Sequence, residues 1–271
     1  MIMTSVTTAR RDTQASTAKA GVAAQSSGPA PVADPIPARL GIVPALDLDT
    51  VDELKRVVEA TCTVPGVVEY KLGLSAVLHV GLFDAVRAIR NISDLPILYD
   101  HQKAGPDMPA SARPFVKICS EAGLKGLILF PVAGPTAVRQ FVGHSLEAGL
   151  IPVVGGEIPV PDYCIKGGGY FADDGLDRII EQATKMGGRH FVLPANDLEM
   201  IRRRSAWLVE NIRTPVLFLT GIGPLGGTIA EAFGAAEGLP SRLAVIGRKI
   251  CAAPDPGEAA RRMVDEVMQF S

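Results

Sequence analysis

The residues most suited to chemistry are charged side chains that follow short apolar segments. Asp100 ends the β-prone segment that starts at Leu95, and Lys103 and Asp107 follow within seven residues. Lys71 ends an earlier apolar segment. If the four side chains meet, each charge has an opposite neighbour, which keeps the lysines protonated and a carboxylate ionised in a dry site. Such an array requires no cofactor and no metal ion.

An isolated Asp-x-x-Lys pair on a loop is usually a solvated surface pair, so the elements around these charges decide the interpretation. From Leu40 onward, eight apolar segments bounded by turn residues alternate with amphipathic segments of helical length. This alternation is typical of βα units with a parallel sheet. Eight repeats favour a closed (β/α)8 TIM barrel over an open doubly wound sheet. The predicted strands are Gly41 to Leu48, Val67 to Leu72, Pro96 to Tyr99, Gly126 to Phe130, Ile151 to Val154, His190 to Leu193, Val216 to Leu219 and Leu243 to Ile246.

Several helices carry their own start signals. Each signal is a capping residue with an acid three positions later, a spacing that lets the two satisfy each other's backbone N–H groups. The pairs are Thr50 with Glu53, Asn196 with Glu199, and Asp255 with Glu258.

In such a barrel, functional groups gather at the carboxyl ends of the strands. Asp47 ends strand 1 and could accept hydrogen bonds from a sugar hydroxyl, whereas Asp49 is expected to cap the next helix. Period-two alternation places Lys71 on the same face as Glu69, toward the barrel mouth. The alternative is a lysine on the outer face with its stem packed along the surface.

The last two strands predict an anion site. Strand 7 runs into a glycine-rich loop and strand 8 into Gly247-Arg248. Glycine lets backbone N–H groups approach an anion, and arginine can clamp it with two hydrogen bonds. The loops after strands 7 and 8 are the recurring phosphate site of βα barrels. The candidate residues are Gly221, Gly223, Gly226, Gly227 and Arg248.

Composition narrows the class of protein. The formal net charge of −2 gives no basic field for nucleic acid or an acidic membrane surface, and no apolar run is long enough to span a bilayer. The four cysteines have no paired spacing, so we expect reduced thiols and a cytoplasmic protein. Residues 1–39 are rich in Ala, Ser, Thr and Pro without aromatic residues, which predicts a flexible tail before a catalytic domain at 40–271.

In this order the motifs resemble orotidine 5'-phosphate decarboxylase. The resemblance runs from about Leu40 to the C-terminus. It rests on Ala-Leu-Asp at 45–47, Tyr-Lys-x-Gly at 70–73, the Asp/Lys/Asp segment, Gly-x-Gly-x-x-Gly-Gly at 221–227 and Gly-Arg at 247–248. It implies decarboxylation of orotidine 5'-phosphate to UMP in pyrimidine biosynthesis, without a cofactor, in a homodimer with shared active sites.

The resemblance also implies roles for the charged residues. Asp47 would bind the ribose hydroxyls, and Lys71 would join the charged network. Asp100 would lie beside the substrate carboxylate, and Lys103 would protonate the ring carbon after carbon dioxide leaves. Asp107 would reach into the site of the neighbouring subunit. The glycine loop and the arginine after strand 8 would hold the 5'-phosphate.

Three departures from the family pattern leave the identity of the substrate's base undetermined. The charged segment reads Asp-x-x-Lys-x-x-x-Asp, whereas the family usually has Asp-x-Lys-x-x-Asp. Pro159 stands where a hydroxyl residue often meets the pyrimidine, and Leu225 stands where many members carry a glutamine. The substrate could therefore be a modified pyrimidine nucleotide. The segment at 166–170 after strand 5 is either a lid or a surface excursion.

Two other functions stay open from the sequence. One is a magnesium-dependent sugar-phosphate decarboxylase or aldolase of the same barrel superfamily. The magnesium-dependent enzymes that this chain resembles place a metal-binding Glu at the position of Lys71. The other is a non-catalytic barrel that binds a phosphate ligand. We expect Glu157 to be a hydrogen-bonded rim acid, the arginines at 202–204 to form an exposed helix face, and His190 to be structural.

Overall fold

Eight parallel strands, paired in chain order, form the centre of the molecule in a computed structural model that describes residues 40–102 and 108–271. The last strand pairs again with the first, so the sheet closes into a barrel. The predicted (β/α)8 barrel is confirmed. The strands are β1 (Leu40–Leu46), β2 (Tyr70–Leu72), β3 (Ile97–Asp100), β4 (Gly126–Leu129), β5 (Ile151–Val154), β6 (His190–Pro194), β7 (Val216–Thr220) and β8 (Ser241–Ile246). The predicted tail at 1–39, Lys103 and Asp107 lie outside the described residues.

Helices separate the strands and cover the outside of the barrel. Within the described residues they are α1 (Val51–Thr61), α2 (Leu74–Val80), α3 (Leu82–Arg90), α4 (Ala112–Glu121), α5 (Pro135–Glu147), α6 (Gly175–Lys185), α7 (Leu198–Asn211), α8 (Ile229–Ala235), α9 (Arg248–Cys251) and α10 (Pro256–Met268). Short 3-10 turns span Pro109–Ser111 and Ile165–Gly167. None of the described helices has the length and apolar character needed to cross a membrane.

Two of the three predicted helix starts are confirmed. At α1, Thr50 Oγ1 accepts from the backbone N–H of Glu53 at 3.2 Å, and the Glu53 carboxylate accepts from the backbone N–H of Thr50 at 3.1 Å. At α10, Asp255 accepts from the backbone N–H of Glu258 at 2.9 Å. These bonds satisfy N–H groups that have no acceptor within the helix.

The predicted start of α7 is wrong by one residue. The cap is Asp197 rather than Asn196, and its carboxylate accepts from the backbone N–H of Met200 at 2.9 Å. Neighbouring Asn and Asp are both good caps, so the path of the chain leaving β6 decides between them.

The strand β2 is shorter than predicted, because Val67 pairs with Ile42 only through an isolated bridge.

Apolar side chains fill the inside of the barrel, and a second apolar layer lies between the strands and the helices. The inner cluster is packed from strands all around the ring, which makes the barrel a solid core rather than a channel. Its buried members are Val43, Ala45, Leu98, Ile128, Ile151, Val153, Val192, Val216, Phe218, Leu243 and Val245.

Two ionisable side chains interrupt this apolar interior. The hydroxyl of Tyr70 lies 2.8 Å from Thr61 Oγ1 on α1, so strand alternation turns the preceding Glu69 inward. Glu69 is fully buried, neither carboxylate oxygen has a partner among the described residues, and burial raises its pKa to about 8. Burial, reinforced by Arg189, lowers the pKa of His190 to about 4. Both groups are therefore neutral at pH 7.

We expect replacement of Glu69 by Gln to remove a pH dependence of stability. The unfolded chain releases the Glu69 proton near its ordinary pKa of 4.5, whereas the folded protein keeps it up to about pH 8. The free energy of unfolding therefore falls as pH rises through this window. Relative to wild type, Glu69→Gln should gain about 3 kcal/mol between pH 5 and pH 8. Urea denaturation at the two pH values measures this gain.

Glu59→Gln, at an exposed position on α1, is the matched control and should show no such gain. An equal difference between Glu69→Gln and wild type at both pH values would mean that Glu69 is ionised in the folded protein.

Candidate active site

The side chain of Lys71 lies between two carboxylates at the mouth of the barrel. Its Nζ is 3.0 Å from Asp47 Oδ2 and 2.8 Å from Asp100 Oδ2. The Lys71 side chain is only 3% exposed. Burial by itself lowers the pKa of Lys71, but the attraction of Asp100 and then Asp47 outweighs it, so the pKa is raised. The ammonium therefore stays protonated in a nearly dry position.

Strand register explains why these three side chains meet. Lys71 pairs with Ala45 on β1 and with Leu98 on β3. Asp100 lies two residues after Leu98 at the end of β3, so alternation turns it to the same face as Lys71. Asp47 directly follows the end of β1, two residues after Ala45, and reaches Lys71 from there. Because the neighbouring strands are parallel, all three side chains project from one end of the barrel.

Gly73 makes room for the Asp47 carboxylate. A Cβ atom added at Gly73 would overlap Asp47 Oδ1, so no larger residue fits without moving the acid. The next acid, Asp49, has a different role from the one expected. It accepts from Ser75 Oγ at 2.6 Å and lies 3.3 Å from His79 Nδ1, while Thr50 caps the helix. The prediction that Asp49 caps α1 is wrong.

Asp100 has one oxygen satisfied and one available. Its Oδ2 accepts from Lys71 and, at 3.1 Å, from Gln102 Nε2. Its Oδ1 is buried and has no partner among the described residues. Within residues 40–102 and 108–271, this oxygen is therefore an acceptor that no donor occupies. Lys103 and Asp107, the other two members of the predicted charged array, lie outside the part of the chain that the structure describes.

Glycines shape the loop after β7. Gly221, Gly223 and Gly226 have positive φ angles of 80°, 100° and 90°, a region that residues with a side chain rarely adopt. The N–H groups of Gly223, Gly226 and Gly227 donate within the loop, at 2.8, 2.9 and 3.3 Å. These three glycines therefore fix the form of the loop, and an anion here would depend on other donors for most of its hydrogen bonds.

Two consecutive cations follow β8, and one of them lies against this loop. Arg248 begins α9 and is exposed. Lys249 lies against the loop itself, because a Cβ atom added at Gly223 would be 2.9 Å from its Cε. The sequence reasoning missed Lys249, although its position directly after Arg248 was a usable signal. Lys249 therefore brings a positive charge to the loop, and Arg248 adds a second one at the end of β8.

An apolar cavity opens beyond β4 and β5, on the opposite side of the mouth. β4 lies four strands away from β8 in the ring of eight. The cavity has a volume of about 380 Å³. It is lined by Gln102, Phe130, Val132, Ile158, Val160, Asp162, Tyr163, Tyr170 and Phe171. The mouth therefore has three regions. Cationic side chains follow β8, the buried charges around Lys71 lie at the centre, and an apolar, aromatic cavity lies beyond β4 and β5.

Comparison with known proteins finds relatives that share one name. No family model matches the chain. The orotidine 5'-phosphate decarboxylase of Thermococcus kodakarensis is 26% identical over 225 residues, covering 83% of this chain and 96% of the relative. That of Pyrococcus abyssi is 28% identical over 227 residues, covering 83% and 98%. The curated relatives are orotidine 5'-phosphate decarboxylases. The resemblance stated from the sequence is confirmed.

Solved structures of decarboxylases carrying this name share the fold. The enzyme from Methanocaldococcus jannaschii, complexed with the inhibitor BMP, superimposes with a TM-score of 0.71 at 20% identity. The match covers 84% of this chain and 98% of that one. The enzyme from Pyrococcus horikoshii gives a TM-score of 0.68 at 22% identity. At these identities the structures establish a common barrel, which agrees with the sequence relatives.

Arg204 on α7 anchors the loop that follows β5. Arg204 was expected on an exposed helix face, and that prediction is wrong. Its side chain is 5% exposed, with Nε donating to Asp177 at 2.7 Å and Nη1 to Glu157 at 3.4 Å. Burial raises the pKa of Glu157, and Arg204 opposes the rise. Glu157 is thus a rim acid bonded to Arg204.

No cluster of three or more His, Cys, Asp and Glu side chains within 40–102 and 108–271 is arranged to hold a metal ion. The four cysteines are unpaired, and Cys119 and Cys251 are buried.

Arg204→Ala should destabilise the protein, because it leaves the partly buried Glu157 carboxylate without its counter-charge and leaves Asp177 with the exposed Arg203 only. We expect the free energy of unfolding to fall by about 3 kcal/mol. Arg203→Ala is a matched control on the same helix, since Arg203 also contacts Asp177 but is 61% exposed. It should cost at most about 1 kcal/mol. Denaturant titration of both variants measures the difference, and equal losses would contradict the anchoring role.

Proposed function

We propose that this protein decarboxylates orotidine 5'-phosphate to UMP without a cofactor. The observation that carries the proposal is the buried Lys71 ammonium held by Asp47 and Asp100 at the mouth of a barrel whose curated relatives bear that name. The polarity of the mouth supports the same substrate, because an anionic phosphate and an apolar ring face need opposite environments.

The phosphate lies on the side of β7 and β8 in this proposal. Arg248 and Lys249 supply the positive charge, and the loop that contains Gly221, Gly223, Gly226 and Gly227 supplies the shape. The nucleotide then extends across the mouth toward the apolar cavity beyond β4 and β5. Asp47 is 37% exposed, whereas Lys71 is buried, so Asp47 is the member of the pair that can reach the ribose hydroxyls.

The central charges favour the transition state over the bound substrate. Asp100 presents a buried acceptor oxygen, Oδ1, beside which a substrate carboxylate would meet a like charge. As the bond between the ring carbon and the carboxylate breaks, the electron pair stays on the ring and carbon dioxide leaves. The repulsion is then relieved, and the ring carbon accepts a proton, for which we assign Lys103. Phosphate binding energy offsets the cost of the charged ground state.

Cofactor-free turnover is tested by incubating the purified protein with orotidine 5'-phosphate, with and without EDTA, and following the loss of orotate absorbance. We expect equal rates with and without EDTA. Lys71→Met and Lys103→Ala should each lower kcat/KM by about 1,000-fold, because each removes charge stabilisation that acts in a dry site. Lys55→Ala, on the exposed face of α1, is the control and should leave the rate unchanged.

Other results would point to the alternatives. Turnover that EDTA abolishes would support a magnesium-dependent lyase, and tight UMP binding without turnover would support a non-catalytic barrel. Either result contradicts the proposal.

The proposal includes a homodimer with shared sites, in which Asp107 of each chain serves its partner's site. Mixing the inactive variants Lys103→Ala and Asp107→Ala under conditions that exchange subunits should restore activity. Half of the dimers would be mixed, each with one complete site, which gives roughly a quarter of the wild-type rate. Each variant taken alone through the same exchange conditions is the control. Mixtures that stay as inactive as the controls would show that Asp107 acts within its own chain.

We place this activity in the cytoplasm, which the absence of any cysteine pairing among the four thiols supports.

A further inference from the structure

The short helix α9, which begins with Arg248 and Lys249, is held by the first strand and helix of the barrel. Arg56 on α1 donates from Nη2 to the backbone carbonyl of Cys251, the last residue of α9, at 2.7 Å. The buried Sγ of Cys251 donates to the carbonyl of Ala45 on β1 at 3.2 Å. These partners lie 195 and 206 residues apart in the chain. The carboxyl end of α9 is therefore fixed by contacts that only the closed barrel brings together.

The bond from Arg56 supplies what α9 lacks by itself. A helix of four residues has little stability of its own, and the last carbonyls of any helix have no N–H partner within it. A guanidinium at the carboxyl end is the favourable charge for these carbonyls, and a hydrogen bond from an ionised donor is stronger than one from a neutral donor. Arg56 therefore holds one end of α9, while the other end presents the two cations.

The helix that carries Arg56 is itself firmly placed. Ala60 lies one turn after Arg56, and residues four apart share a helix face. The Ala60 carbonyl lies close against α10, since a Cβ atom added at Gly257 would be only 2.6 Å from it. The strand before this helix leads directly to Asp47, which binds Lys71. The first βα unit therefore positions the cations after β8 relative to the charged centre.

We propose that Arg56 is a positioning residue for the phosphate end of the ligand. It acts through α9, by holding the helix in the orientation that presents Arg248 and Lys249, and it makes no contact with the ligand. The guanidinium binds the end of α9 opposite to Arg248, so its task is separate from that of the two cations. This inference rests on the proposed function for the phosphate and adds the residue that prepares the site for it.

The test measures the dissociation constants of UMP and of uridine, which lacks the phosphate, for wild type and Arg56→Met. Arg56 is exposed, so methionine, which keeps an unbranched stem, should leave the fold intact. UMP binding should weaken about tenfold, because the cations lose their preorganised position. Uridine binding should stay unchanged. A purely structural role would leave both constants unaltered or weaken both alike, and either result overturns the inference.

Arg261→Met is the matched control, since it removes the same charge from an exposed position on α10. It should keep the wild-type constants for both ligands. A tenfold loss of UMP affinity in this variant as well would mean that net charge, rather than the bond to α9, is what Arg56 contributes.

A double-mutant cycle tests whether Arg56 acts through the two cations. In a protein that already carries Arg248→Met and Lys249→Met, adding Arg56→Met should weaken UMP by less than about threefold, because residues that act through one another are not additive. A full tenfold loss in that background would show that Arg56 attracts the phosphate directly, which overturns the positioning role. Wild type that binds UMP no more tightly than uridine would instead remove the phosphate site from the proposed function.

Discussion

The buried ammonium of Lys71 constrains the rest of the site. Removing an ammonium from water costs several kcal/mol, and a lysine that is 3% exposed would give up its proton without nearby anions. Asp47 and Asp100 supply these anions from the two neighbouring strands. The geometry tolerates little change, since Gly73 must lack a side chain for Asp47 to fit. The buried charges at the mouth and the register of the strands are therefore one constraint.

Around this centre the mouth is polarised from one side to the other. Lys249 lies against the glycine loop and Arg248 precedes it at the end of β8, whereas the opposite side offers an aromatic cavity. Such a gradient orients a ligand that is anionic at one end and planar at the other, before any specific hydrogen bond forms. Arg204 contributes indirectly by joining Glu157, which precedes the cavity-lining Ile158, to Asp177 on α6. Binding energy gathered at both ends can then act on the bond between them.

Local pattern was sufficient for the barrel and for the central charges. Turn residues and apolar runs predicted the eight strands, because a parallel strand buried on both faces is apolar along its length. Period-two alternation then placed Lys71 inward, and the rule that function gathers at the carboxyl ends placed Asp47 and Asp100 around it. The capping box formed by Thr50 and Glu53 could be predicted equally well, since both partners lie within one helical turn.

Tertiary structure decided the features that depend on contacts between distant segments. Three consecutive arginines cannot reveal from sequence that only Arg204 is buried and joins Asp177 to Glu157, because Glu157 lies in a loop that follows another strand. The packing of Lys249 against Gly223 depends on how β7 and β8 end side by side. The bond from Gln102 to Asp100 depends on the turn that follows β3. The sequence by itself determined the strands, their faces and the charges they deliver, since these are local and periodic; which side chains meet across the mouth was decided only by closure of the barrel.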